Sequence, residues 1–167
     1  SELEQGRRSI YREFIGISYN TGMRPSELLK LEWGDISINI TDTKDNQKIY
    51  RIIKVRSENS KTGRMRSVNG PVGRRFERLK ETYEKLGFEC GPETFVFRNI
   101  LPRMKGENVP FKISLISNRL VDLLMESGLT EDLDKSGKHI TLYSSRHFYT
   151  TMRLQNGLDI HLLSKQL

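Results

Sequence analysis

The stretch "TGMRPSELLKLEWGDI", from Thr21 to Ile36, decides how this chain is read. Thr21-Gly22 breaks one helical pattern. Pro25 opens another, because the N–H that proline lacks would have no partner in a first helical turn. Leu28, Leu29 and Leu31 give the new helix an apolar side, and its expected end is near Trp33-Gly34. Arg24 stands between the break and the helix. Taken alone, it is either an ordinary surface arginine on a loop or a guanidinium held at a helix start to grip an anion. Glu27, one turn further on, is a carboxylate of the kind favoured near a helix N-terminus.

Working outward, Ile10, Phe14 and Ile17 have helical spacing, so the opening segment reads as an amphipathic helix to Asn20. Beyond Gly34 the period changes. "DISINI" alternates, with Ile36, Ile38 and Ile40 on one face, and reads as a strand. "TDTKDNQ" is a polar turn, "KIYRIIKVR" a second, basic strand, and "RMRSV" a third after a turn centred on Lys61-Thr62-Gly63. Val72, Phe76, Leu79, Tyr83 and Leu86 then recur at helical steps. "TFVF" reads as a short buried strand, Arg98 to Pro110 as a loop holding Pro102 and Gly106, and Ile116 to Leu124 as a helix ending at Ser127-Gly128. "TEDLDKSGKH" reads as a polar loop. Two helices follow, about Leu142 to Gln155 and Asp159 to the end, parted by Asn156-Gly157. The fold class expected is α+β: a mostly helical core with a small three-stranded antiparallel sheet at one edge, in one domain over residues 1–167.

Composition narrows the partner. The 167 residues are 35% hydrophobic and 29% charged, the balance of a globular chain. No apolar run approaches the length of a membrane span, and no signal peptide opens the sequence. A single cysteine, Cys90, makes neither an internal disulfide nor a cysteine-built zinc site, so a reducing cytoplasm is the compartment expected. The formal net charge of +7 favours a polyanion such as nucleic acid. Arg51, Lys54, Arg56, Lys61, Arg64 and Arg66 fall in one segment, with Arg74, Arg75 and Arg78 close behind. That cluster is either a solvated basic face or a contact surface. On the second view Arg64 and Arg66 are candidate DNA contacts.

A second stretch, "TLYSSRHFYTTMRLQNGLDIHLLSKQL" from Thr141 to Leu167, places Arg146 early in a helix beside His147. Arg24 at a turn-to-helix junction, Lys61 at a hairpin tip and Arg146 near a later helix start make a coherent set. Two arginines can each fork onto the oxygens of one phosphate. A lysine can deliver a proton to a leaving oxygen. The combination describes phosphoryl transfer without a metal or other cofactor.

These residues resemble the catalytic domain of the tyrosine recombinases, the phage-integrase family. "TGMRPSELLKLEWGDI" is similar to that family's first arginine box, Thr-Gly-x-Arg-x-Ser-Glu-Leu followed by Leu-x-Trp-x-Asp-Ile, Glu27 included. "SKTGRMRSV" resembles the hairpin carrying its catalytic lysine, here Lys61. "YSSRHFYTT" resembles the second box, His-x-x-Arg-His, which falls on Tyr143, Arg146 and His147. "LQNGLDIHLLSKQL" resembles the approach to its Leu-Gly-His segment. The resemblance implies that Arg24, Lys61, Tyr143 and Arg146 are catalytic, with Glu27 and His147 supporting them. It implies duplex DNA as substrate, a 3′-phosphotyrosine intermediate, and a tetramer on DNA for the full-length protein. Two departures follow from the same match. Tyr143 stands where the family usually has histidine; a phenol donates a hydrogen bond to a phosphate but is a poor general base near neutral pH. The nucleophilic tyrosine is expected beyond Leu167, and the amino-terminal DNA-clamping domain outside this chain. Type IB topoisomerases share the chemistry, and a non-catalytic DNA-binding protein on the same fold is the alternative of a different class.

Overall fold

The Ser1 side-chain oxygen accepts the Glu4 N–H and starts the first helix, α1, Glu2–Thr21. Its inner face buries Ile10, Tyr11, Phe14 and Ile17. The computed structural model describes residues 1–38, 49–101 and 107–167. Ile40, the "TDTKDNQ" turn, Pro102 and Gly106 lie outside the described residues. Among the described residues, no helix is long and apolar enough to cross a membrane.

Gly22 closes α1 in the left-handed conformation, φ 66°, donating its N–H to Ser18 O at 2.9 Å. This position needs glycine twice over. Side chains rarely adopt such a φ, and a Cβ there would overlap the ring of Tyr149. Gly22→Ala is expected to lower unfolding stability by about 2–4 kcal/mol, the sum of a left-handed penalty and an overpacking cost. A urea titration checks it; a loss within the error of the fit would show that the Tyr149 ring moves aside freely.

Helix α2, Pro25–Leu29, is shorter than the sequence suggests. The chain leaves the helix to pair with a distant segment. Leu31 O accepts the Val96 N–H at 2.8 Å, Trp33 N–H donates to Thr94 O at 3.1 Å, and Gly34 N–H to Pro92 O at 2.7 Å. Trp33–Asp35 is therefore a single 3-10 turn. The same pairing corrects the expected "TFVF" strand. Val96 and Phe97 are fully buried, but the segment makes only isolated bridges, Glu32 to Phe95 and Arg98 to Pro110.

The sheet is antiparallel in the order β1 (Ile36–Ile38), β2 (Arg51–Val55), β3 (Arg66–Gly70). Ile36 faces Ile53, and Val55 faces Arg66. Helix α3, Gly73–Lys85, buries Phe76, Leu79 and Tyr83 against α1. Tyr83 is fully buried; its hydroxyl donates to Val96 O at 2.8 Å and accepts the Arg98 N–H at 3.2 Å. Between α1 and α3 lies a buried carboxylate, Glu13, which accepts from Arg75 at 3.1 Å and from two nitrogens of Arg78 at 2.9 and 3.0 Å.

Helix α4, Ile113–Glu126, is followed by α5, Leu129–Ser136, where the sequence reads as a polar loop. Gly128 and Gly137, both with positive φ, frame this helix. Helix α6, Ser144–Gln155, packs on α1: the Ser18 and Ser145 hydroxyls lie 2.6 Å apart, and Tyr19 stacks on Phe148 at 4.2 Å. Helix α7, Ile160–Gln166, is capped by Asp159, which accepts the His161 and Leu162 N–H groups, and lies against β3 and α6.

Candidate active site

The sharp turn after α1 delivers Arg24 to the N-terminus of α2 in an extended conformation, φ −67°, ψ 141°. Glu27 reaches back over one turn to hold it. Its Oε2 accepts the Arg24 N–H at 2.9 Å and its Oε1 the Arg24 Nη1 at 3.1 Å. Arg66, from β3, closes on the other side of the same carboxylate: Nη1 to Oε1 at 2.9 Å and Nη2 to Oε2 at 2.7 Å. Arg66 Nε donates to Gln166 O at 2.9 Å. The Glu27 side chain is 1% exposed.

Arg146, on the first turn of α6, completes the group. Its Nη1 donates to Gly22 O at 2.7 Å and its Nη2 to the main-chain oxygen of Leu167 at 2.8 Å. Arg24 Nη1 donates to that same oxygen at 3.1 Å. Two guanidinium heads far apart in sequence thus converge on one oxygen. Arg24 and Arg66 grip one carboxylate and Arg146 adds a third cation beside them, so the pocket is cationic. Burial, then the charge of Arg24, draws Arg146 below the ordinary guanidinium range, with Glu27 opposing the shift. A site so arranged can accept an anion with several acceptor oxygens, such as a phosphodiester.

Among the described residues, the side chains of the other sequence-derived candidates make no hydrogen bond to this cluster, though Tyr143 is near enough to Arg146 for its charge to be felt there. Lys61 and Arg64 are exposed on the turn between β2 and β3, and neither makes an ion pair among the described residues. Tyr143 caps the start of α6 and is 46% exposed; His147 is exposed on the next turn. Tyr149 is buried, its hydroxyl 3.0 Å from Gln166 Oε1 and the Arg153 guanidinium over its ring. Among the described residues, no three His, Cys, Asp or Glu side chains group as metal ligands would.

Two features escaped the sequence reading. Arg66, expected as a DNA contact, is turned into the protein. The signal was its alternation with Val68, since residues two apart on a strand share a face and Val68 is fully buried. The basic cluster is also less available than its composition suggests. Arg51 pairs with Glu77, Arg56 with Glu32 and Asp35, and Arg75 and Arg78 with Glu13.

Glu13 and Glu27 behave alike. Burial pushes each carboxyl up, but hydrogen bonds from arginine outweigh it and hold both below the usual glutamate range: Arg78 and Arg75 for Glu13, Arg66 and Arg24 for Glu27. A lowered folded pKa gives stability that is complete above the ordinary value, about 4.3, and lost as pH falls through the folded value. Unfolding stability is therefore expected to be level from neutral pH to about pH 5 and to fall steeply below about 4.3. Glu27→Gln should flatten the acid limb. Urea midpoints at several pH values check this; an unchanged limb would show that Glu27 titrates normally.

Comparison with known proteins agrees with the geometry. The model of the phage integrase family matches residues 4–167. The ICEBs1 integrase of Bacillus subtilis (strain 168) is 21% identical over 166 residues, covering 95% of this chain and 41% of that protein. The XerH site-specific recombinase, solved bound to its difH substrate as a pre-cleavage complex, superposes with a TM-score of 0.68 at 17% identity, over 99% of this chain and 43% of that one. The Tn1549 transposon integrase, solved with circular intermediate DNA, gives 0.53 at 19% identity, over 94% of this chain and 49% of that one. The chain spans less than half the length of each of these relatives. With the first arginine box, the paired arginine heads and a match over nearly every residue, the chain belongs to the phage integrase family.

Proposed function

We propose that this chain is the catalytic domain of a site-specific DNA recombinase that breaks and rejoins duplex DNA through a 3′-phosphotyrosine. The observation that carries the reading is that Glu27 aims the Arg24 head and Gly22 O the Arg146 head into one cationic pocket. In the complex with DNA, the non-bridging oxygens of the scissile phosphate meet these two heads. The two guanidinium groups then face the charge that builds on the pentavalent phosphorus. The nucleophile is a tyrosine that follows Leu167 in the intact protein. Its hydroxyl gives up its proton to water, its oxygen bonds to phosphorus as the bond to the 5′-oxygen breaks, and Lys61 delivers a proton to that leaving oxygen. Tyr143 donates its hydroxyl to the phosphate, in the place of the family's histidine. His147 supports Arg146 from the same helix, Glu27 fixes Arg24, and Arg64 contacts the DNA backbone. The phosphotyrosine conserves the bond energy for rejoining to a second DNA end. The intact protein works as a tetramer on DNA in the cytoplasm.

The relatives named above include proteins solved on DNA, which supports duplex DNA as the substrate here. The buried state of Tyr149 and Tyr83 supports a nucleophile elsewhere. The test is a duplex nicked near the scissile phosphate, incubated with the intact protein and resolved on a denaturing gel. A covalent protein–DNA band is expected. Its loss when the tyrosine that follows Leu167 is changed to phenylalanine identifies the nucleophile. No band on the intact protein's own recombination site would favour the non-catalytic DNA-binding reading.

A further inference from the structure

We propose that Arg66 is a positioning residue that sets the arginine pair and ties it to the turn carrying Lys61. The proposal rests on the recombinase reading above. Three of its observations are geometric. Arg66 forks onto both oxygens of Glu27, at 2.9 and 2.7 Å, and so fixes the plane of that carboxylate. The same Oε1 that takes Arg66 Nη1 also takes Arg24 Nη1, so the orientation of the carboxylate sets the orientation of the Arg24 head. Arg66 Nε holds Gln166 O, next in sequence to the oxygen that Arg24 and Arg146 share.

Position in the fold adds the second function. Arg66 is the first residue of β3 and pairs with Val55, the last residue of β2. Those two residues are the roots of the connection on which Lys61 stands exposed. One side chain thus anchors both the base of the lysine turn and the carboxylate that aims Arg24. With its side chain only 12% exposed and three of its five N–H donors engaged by Glu27 and Gln166, Arg66 is committed to the protein.

Arg66→Lys keeps the charge but cannot make three directed contacts in one plane. In the intact protein, single-turnover cleavage of the nicked duplex at saturating DNA is expected to fall ~10²-fold, the cost of misplacing a catalytic group by about 1 Å. The dissociation constant for the same duplex should stay within about threefold, since the charge is kept. An unchanged cleavage rate overturns the proposal. So does a loss confined to DNA affinity, which would make Arg66 a backbone contact. A spectroscopic arm is independent of activity. With nitrogen-15 labelling, the Arg24 Nη resonances should be separate in the parent protein, where Glu27 hinders rotation, and averaged in Arg66→Lys. Circular dichroism confirms that the variant is folded. If the parent protein forms no covalent adduct, the recombinase reading fails. The Arg24 resonances then decide the positioning role alone, and identical spectra for parent and variant reject it.

Discussion

Arg146→Lys is expected to slow covalent attachment to DNA by ~10²–10³-fold, the usual cost of removing one fixed donor to a developing anion. Arg146 spends its two terminal nitrogens differently. Nη1 is held by Gly22 O at 2.7 Å, and this orients Nη2 towards the shared oxygen at 2.8 Å. A lysine has one head, so it either holds the glycine carbonyl or meets the phosphate. Arg24→Lys should cost a similar factor, because it surrenders the Glu27 contact that aims it. The double variant should lose much less than the product of the two factors, since both arginines act on one oxygen. Single-turnover rates of the parent, both single variants and the double variant on a nicked duplex measure this. Single variants within a few-fold of the parent would remove the arginine pair from the mechanism. Fully multiplicative losses would show that the two heads do not act as a unit.

Glu27→Ala is expected to cost about 3–5 kcal/mol of unfolding stability, because it strands two arginines inside the protein. The comparison with Glu13 explains why the loss is large. Both carboxylates are buried, but the arginines around Glu27 are 19% and 12% exposed, whereas those around Glu13 are 30%, 42% and 67% exposed. Arg75, Arg78 and Arg12 can swing to water when Glu13 is removed; Arg24 and Arg66 cannot. Glu13→Ala should therefore cost less, roughly 1–3 kcal/mol. A buried ion pair can also be replaced by apolar groups at little cost. The double change Glu27→Leu with Arg66→Met should thus recover much of the stability while leaving Arg24 without its guide. Urea unfolding of the four proteins tests the order. A larger loss at Glu13 than at Glu27 would refute the role given to partner burial.

The elements that were legible in the sequence are those whose side chains repeat with a period. The steps of α1 and α3, the alternation that opens β1, and the first arginine box each carry their own signal, and each appears at or near its expected place. What was not legible depended on distant partners. The early end of α2 requires the carbonyls of Pro92 and Thr94 and the Val96 N–H, which no local pattern reveals. Helix α5 holds only Leu129 and Leu133 as apolar repeats, too few to outweigh its acidic and small residues. The convergence of Arg24 and Arg146 was expected from the two boxes. The turning of Arg66 towards Glu27 was not, because a basic residue in a basic segment reads first as surface. The neutralised cluster has the same cause. Glu13 lies far upstream of Arg75 and Arg78, so charge counted along the chain missed the carboxylate that meets them in space.

The packing of α6 on α1 has a consequence for synthesis. Arg24 and Glu27 leave the ribosome well before Arg146. At roughly 5–20 residues per second, several seconds separate the two. During that interval α1, α2, the sheet and α3 can fold, and Glu27 can already hold Arg24 and Arg66. The anion grip itself cannot exist until Ser145 reaches Ser18, Phe148 reaches Tyr19, and Arg146 finds the carbonyl of Gly22. Such sequence-distant contacts are slow to form and are made late. The growing chain is therefore basic long before it can seize a phosphate, and it is α6, made long after Arg24, that arms it.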